Sequence, residues 1–194
     1  IGREALTVST ASSNTAIGKD ALKSNTTGTQ NQALGYYALR GNTTGSYNNA
    51  FGYKVLEDNT TASYNTAFGH ECLKETTSGW GNTAMGFQAG QDITSAWGCT
   101  LIGNTTGRNI TTGADNTCVG HNNSLVLTTG IQNTVIGVSA GATLTTGGSN
   151  VCLGMNAGSN QLTTGSGSLW IARSGVSAGN DEMCSSDFPI LNQF

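Results

Sequence analysis

One glycine returns every seventeen residues, at Gly18, Gly35, Gly52, Gly69, Gly86, Gly103, Gly120, Gly137 and Gly154. A fixed short period means that one structural unit is stacked many times, each copy burying its apolar surface mainly against its neighbours. Taking the repeat glycine as position 0, position −4 holds Asn14, Asn31, Asn48, Asn65, Asn82, Asn116, Asn133 and Asn150, with Cys99 in the remaining slot. Position −1 is always large and apolar, from Ile17, Leu34, Phe51, Phe68 and Met85 to Leu153. Position −2 is Ala in five units and then Leu101, Cys118, Val135 and Cys152. A hydroxyl pair follows at +8 and +9, as in Thr26-Thr27, Thr43-Thr44 and Thr60-Thr61. Residues 1–13 form a degenerate first unit, since Gly2 stands sixteen residues before Gly18.

A seventeen-residue unit is too short for a helix pair, and glycine with β-branched threonine at each turn disfavours helix. The length suits two short strands joined by two glycine turns. The expected fold is therefore all-β, a β-solenoid or parallel β-roll whose coils sit about 4.8 Å apart, with like side chains in columns. The asparagine column is expected to be an amide ladder that also caps turn backbone. The repeat glycine should supply a positive φ or a close approach of backbone to backbone. Neighbouring strand residues point to opposite faces, yet Ala and a large aliphatic residue stand side by side in each Asn-Thr-Ala-Ile-Gly phrase. A thin coil has one interior, so the second apolar face needs another surface. The Ala side is the candidate for cover by a neighbouring chain in a closed oligomer, or else it faces a bend or solvent.

Composition removes several function classes. Only 10% of the 194 residues are charged, against roughly a quarter in ordinary domains. The net charge is −3 and no basic cluster tracks a phosphate backbone, so nucleic acid is not an expected partner. No apolar run approaches the ~18 residues of a membrane helix. No Cys-x-x-Cys, nucleophile elbow, phosphate loop or carboxylate constellation appears, so no enzyme, cofactor or metal is expected. His70 and His121 share position +1 but lie three units apart, about 14 Å along a stack, and cannot ligate one ion within a chain. Cys118 and Cys152 are two units apart, about 10 Å, too far for a disulfide; with Cys72, Cys99 and Cys184 they read as small residues of a chain made in a reducing compartment. The opening Ile1-Gly2 reads as the end of a repeat phrase, and so as part of a longer chain.

The phrase from Asn14 to Leu22, followed by Ser24-Asn-Thr-Thr-Gly28, resembles repeats of bacteriophage tail-fibre proteins, related giant-virus proteins and bacterial surface proteins. It is also similar to the head repeats of trimeric autotransporter adhesins. The likeness covers residues 1–172, and its specificity comes from repetition. It implies a homotrimer of parallel β-rolls, with apolar residues buried inside and between chains, in a fibre of a virion or an extracellular surface. The unit here is longer than in the adhesin heads and has Thr or Gln where those have Val. The solenoid is expected over residues 14–172, with the register slipping by one within Gln161–Gly165 after Gly154, and residues 173–194 are expected to form a cap or a transition segment, or else a disordered linker.

The function expected is thus a structural fibre or adhesin segment, either a shaft or a receptor-binding part. Tyr47, Tyr64, Trp80 and Trp97 are candidate contacts for a cell-surface glycan, against the plainer reading of an aromatic ladder that staples coils or chains together. The alternative is an ice-binding solenoid with threonine ladders. Adjacent hydroxyls at +8 and +9 point to opposite faces, which suits that reading poorly. The sequons at Asn25, Asn42, Asn59, Asn104, Asn109 and Asn122 become glycan acceptors only in a eukaryotic secretory pathway.

Overall fold

The computed structural model describes residues 1–159 and 163–171. Ten short strands follow one another: β1 (Thr15–Ile17), β2 (Gln32–Leu34), β3 (Asn49–Tyr53), β4 (Thr66–His70), β5 (Thr83–Phe87), β6 (Thr100–Ile102), β7 (Thr117–Val119), β8 (Thr134–Ile136), β9 (Val151–Leu153) and β10 (Leu169–Ile171). Each pairs in parallel with the next, giving one ten-stranded sheet in chain order. The register sets each repeat position on its counterpart, so Ala50 lies opposite Ala67, Phe51 opposite Phe68 and Gly52 opposite Gly69. The chain is a β-solenoid of about nine turns with about 17 residues per coil. Trp170 still pairs with Cys152 across an eighteen-residue step, so the extra residue leaves the ladder in register. The slip expected at Gln161 and Leu162, and the segment 173–194, lie outside the described residues.

The degenerate first unit joins the stack. Gly18 N donates to Ile1 O at 2.8 Å, Asp20 N to Arg3 O at 2.8 Å and Thr10 N to Thr26 O at 3.1 Å. Gly2 has the φ of 130° that Gly18 also has, Thr10 keeps the +8 bond and Ser13 keeps the left-handed φ of 63° at −5, so the missing residue falls between Thr10 and Ser13.

Two expectations need correction. Each coil contributes one strand, not two. On the hydroxyl side the amides of Thr26 and Thr27 both converge on Thr43 O, at 2.9 and 3.2 Å, and this pattern closes a turn instead of extending a ladder. The bends are built from left-handed residues at +2 and +4, as at Asp20 (φ 57°) and Leu22 (φ 51°), and at −5, as at Gln30 (φ 57°). The two faces of the strand are also the reverse of expectation. Ala16, Ala33, Ala50, Ala67 and Ala84 point into the coil and are buried, while the large residue at −1 points out. The interior at the strand is narrow, so it takes Ala, and the space beyond is filled from +4 by Leu22, Leu39, Leu56 and Leu73.

That filling changes hands along the stack. From β5 onward +4 becomes Gly90, Gly107, Ser124 and Gly141, position −2 grows to Leu101 or Val135, and +7 changes from asparagine to Ile93, Ile110, Leu127 and Leu144. A Cβ on Gly90 would stand 2.5 Å from Leu101 Cδ1, and one on Gly107 2.9 Å from Ile110 Cδ1. Volume lost at one column is thus recovered at two others, as close packing requires.

Polar ladders complete the interior. Asn65 Nδ2 donates to Asn48 Oδ1 at 3.3 Å and across the coil to Gly79 O at 2.9 Å, while Asn65 Oδ1 accepts from Asn82 N at 2.9 Å. In the odd slot Cys99 N takes the Asn82 Oδ1 bond at 3.0 Å and its thiol reaches Gly113 O at 3.4 Å. A second ladder, unforeseen, runs through Asn25, Asn42 and Asn59, where Asn42 Nδ2 reaches Asn25 Oδ1 at 2.7 Å and Asn59 Nδ2 reaches Asn42 Oδ1 at 2.6 Å.

The repeat glycine is required twice over. Gly69 has φ 143°, and a Cβ there would stand 2.1 Å from Gly86 O. Gly69→Ala should cost at least about 3 kcal/mol of unfolding free energy, combining strain and a backbone clash. Gly81→Ala, at φ 67° with nothing within 4 Å of its added Cβ, should cost about 1 kcal/mol, and urea unfolding of both separates the two glycine roles. Asn65→Ala strands a buried carbonyl, an amide and a neighbouring side chain, so a loss of about 3 kcal/mol or more is expected in the same measurement.

Candidate functional site

The outward positions of the sheet are −3, −1 and +1. Position −1 carries an unbroken apolar line from Ile17 on β1 to Ile171 on β10, with Phe68 55% and Met85 52% exposed. Nine steps of about 4.8 Å make this line about 43 Å long. An apolar stripe of that length, with seven of its ten residues exposed and the others half-buried, marks a contact surface.

Aromatic side chains gather on one stretch of it. At +1, Tyr36 stacks on Tyr53 (centroids 5.3 Å apart), Tyr53 on His70 (4.7 Å) and His70 on Phe87 (5.2 Å). His70 therefore belongs to a ring stack, and His121 stands apart and exposed farther along the same column. Lys19 caps the stack at 5.2 Å from the Tyr36 ring and 5.3 Å from the Tyr37 ring, and these two tyrosines hold its ammonium above the ordinary pKa. The corner before the strand carries a second set. Tyr47 and Tyr64 at −5 are parallel within 5° at 4.9 Å, and Trp80 and Trp97 at −6 within 4° at 5.4 Å. All four rings expected as glycan contacts are exposed.

Charge is sorted by the coil in a way that the linear chain hides. Acidic and basic residues look scattered along the sequence, yet fourteen of the fifteen charged side chains among the described residues occupy positions +1 to +6; the exception is Asp115. On that arc Lys23 pairs with Glu4, and Glu57 takes Arg40 at 3.4 Å and Lys54 at 3.7 Å. The opposite flank, from −9 to −3, is uncharged from the first coil as far as Asp115 and rich in hydroxyls. The +8 threonines there are already engaged along the stack, since Thr26 Oγ1 donates to Thr43 O at 2.9 Å and Thr43 Oγ1 to Thr60 O at 2.9 Å. Counting charges by repeat position would have revealed this sorting; counting them along the chain did not.

The sequons divide. Asn25, Asn42 and Asn59 are wholly buried in the second amide ladder, whereas Asn104 is exposed and Asn109 and Asn122 are half-buried. No group of three or more histidine, cysteine, aspartate or glutamate side chains suited to a metal occurs among the described residues, and no described helix is long and apolar enough to cross a membrane.

Cys72, Cys99, Cys118 and Cys152 are all buried. Burial pushes the Cys72 thiol up to about 12, Cys99 to about 11 and Cys118 to about 12. In a Cys184→Ser chain, an aromatic disulfide reagent at pH 8 should label nothing until denaturant is added and four thiols per chain thereafter. The unfolded chain ionises its thiols near the ordinary 9.0 while the folded chain keeps them protonated, so stability is complete below pH 9 and falls as pH rises above it. Comparison with protein-family models, curated proteins and solved structures returns no match.

Proposed function

We propose that this solenoid is a structural segment of a homotrimeric fibre or adhesin at a virion or extracellular surface, built by contact between the outer faces of its sheets. The observation that carries this reading is the stripe at −1. A lone solenoid gains nothing from ten successive outward rungs of Ile, Leu, Phe, Met and Val, seven of them exposed and Phe51, Val119 and Leu153 half-buried, while a second copy gains a surface with no charge on that line. The outward band from −3 to +1, in which polar residues at −3 and Arg3, Lys19 and the ring stack at +1 flank the stripe, spans about 13 Å and covers about 560 Å² in projection. That is of the order of the ~800 Å² per partner found in stable interfaces. Parallel copies keep their rungs level, so each apolar residue meets its equivalents, and a closed cyclic arrangement leaves no stripe uncovered.

The role is mechanical. Each coil is tied to the next by strand pairing, amide ladders and hydroxyl-to-carbonyl bonds, and repetition of such weak ties gives a stiff rod. Catalysis forms no part of this proposal. The ice-binding alternative wants a flat threonine array, and here the +8 hydroxyls are spent on the next coil while Tyr64 and Trp80 stand out beside them, 61% and 53% exposed.

Sedimentation equilibrium should return three times the 19.8 kDa chain mass. Phe68→Glu with Met85→Glu places charge in the middle of the stripe and should return the single-chain mass with an unchanged far-UV circular dichroism spectrum. A wild-type chain that stays single at tens of micromolar removes the reading.

A further inference from the structure

We propose that the uncharged flank of the coil, at the corner where Tyr47, Tyr64, Trp80 and Trp97 stand, is a binding site for a neutral carbohydrate chain. This goes beyond the fibre reading and does not rest on it, because the corner at −5 and −6 is a different set of columns from the apolar stripe.

The first observation is a relay. Where the ring sits at −5, its residue is held left-handed, Tyr47 at φ 61° and Tyr64 at φ 62°. Where −5 becomes glycine, Gly81 at φ 67° and Gly98 at φ 68°, the ring moves to −6 as tryptophan. Four consecutive coils thus keep one exposed ring at this corner although two different positions supply it. Elsewhere −5 holds Ser13, Gln30, Asp115, Gln132, Ser149 and Gly167, so the fold asks for no aromatic there. A tyrosine in the left-handed region is an uncommon and costly choice, and burial gives no return for a ring 61% exposed, as Tyr64 is.

The second is the surroundings. Stapling coil to coil by ring stacking would be as useful at any rung, yet these rings stop at Trp97, just before Asp115, the one charge on this flank. Centroid steps of 4.9 and 5.4 Å with nearly parallel planes exceed face-to-face contact, so the rings overlap like tilted slats and leave part of each face open. Thr44, Thr61, Ser78 and Ser95 line the neighbouring column at −8, all exposed. Aromatic faces suit the C–H faces of sugar rings, and a hydroxyl column beside them suits sugar hydroxyls. The absence of cations on the flank disfavours phosphate, sulfate or carboxylate on the ligand. A site that repeats with every coil matches a ligand that repeats with every sugar, and gains by multivalency.

The repeat itself supplies fold-safe variants, since Gly81 already serves at −5 and Ser63 at −6. Native electrophoresis through gels cast with dextran, hydroxyethylcellulose, galactomannan, glucomannan or xyloglucan, with heparin as the acidic control, reads the site directly. The expected result is retardation by at least one neutral polysaccharide and none by heparin. Tyr64→Gly combined with Trp97→Ser should weaken that retardation by roughly tenfold or more at unchanged mass and circular dichroism. Quenching or shift of the exposed Trp80 and Trp97 emission by the same polysaccharide is the second readout. Failure of all five neutral gels, retardation by heparin alone, or a double variant that binds like the wild type would each overturn the assignment. A wild-type chain that sediments at the single-chain mass yet is still retarded would remove the fibre reading and leave this one standing.

Discussion

The controlling contact is backbone against backbone at a single fixed step. The carbonyl of each repeat glycine occupies the place where a Cβ on the preceding repeat glycine would be, as at Gly52, whose added Cβ would meet Gly69 O at 1.7 Å. This excludes any side chain at position 0 and lets the strands on either side approach to pairing distance. Once that column is fixed, every other position in the coil must recur above itself. The asparagine ladders, the hydroxyl bonds and the ring stacks are then consequences of a step that the glycines set.

A stack of this kind satisfies its buried polar groups by passing bonds along the axis. From Asn48 to Asn82 each buried amide of the −4 column donates to the asparagine oxygen below and accepts from the residue above, and its Nδ2 also ties the strand to the far side of the coil, as Asn48 does to Ala62 O at 2.8 Å. Buried polar groups are tolerated only when partnered in this way. Among the described residues, Asn59 Oδ1 and Thr76 Oγ1 are buried without a hydrogen-bond partner, where the second ladder gives way to Ile93. The break coincides with the change from leucine to glycine at +4, so one rung marks the junction of two differently filled interiors.

Period and fold class were legible because glycine and asparagine at fixed spacing admit few structures. The direction of the strand was not. Ala and a large aliphatic residue are both apolar, and hydrophobicity alone cannot say which faces inward; the narrow width of the coil decides for Ala, and width is a property of the bends. Those bends were themselves readable in part. The column Leu22, Leu39, Leu56, Leu73 turning to Gly90 and Gly107 reports a left-handed position, as does Tyr64 turning to Gly81. Comparing the repeats with one another carries the information that a set of related chains would otherwise supply. The second asparagine ladder was hidden because Asn-Thr-Thr reads first as a glycan sequon, and the charged arc was hidden because coiling gathers what the chain disperses.

The two interiors have different thermal character. Coils of β1 to β3 bury Asn25, Asn42 and Asn59 beside leucine and that of β4 buries Thr76, whereas coils from β5 onward bury Ile93, Ile110, Leu127 and Leu144 in the same place. Apolar surface raises the heat capacity of unfolding and polar surface lowers it. In a solenoid, where each coil feels only its neighbours, such a difference is not averaged over the whole chain. Cooling weakens the aliphatic half more than the amide half, so temperature selects the end from which the rod begins to unwind.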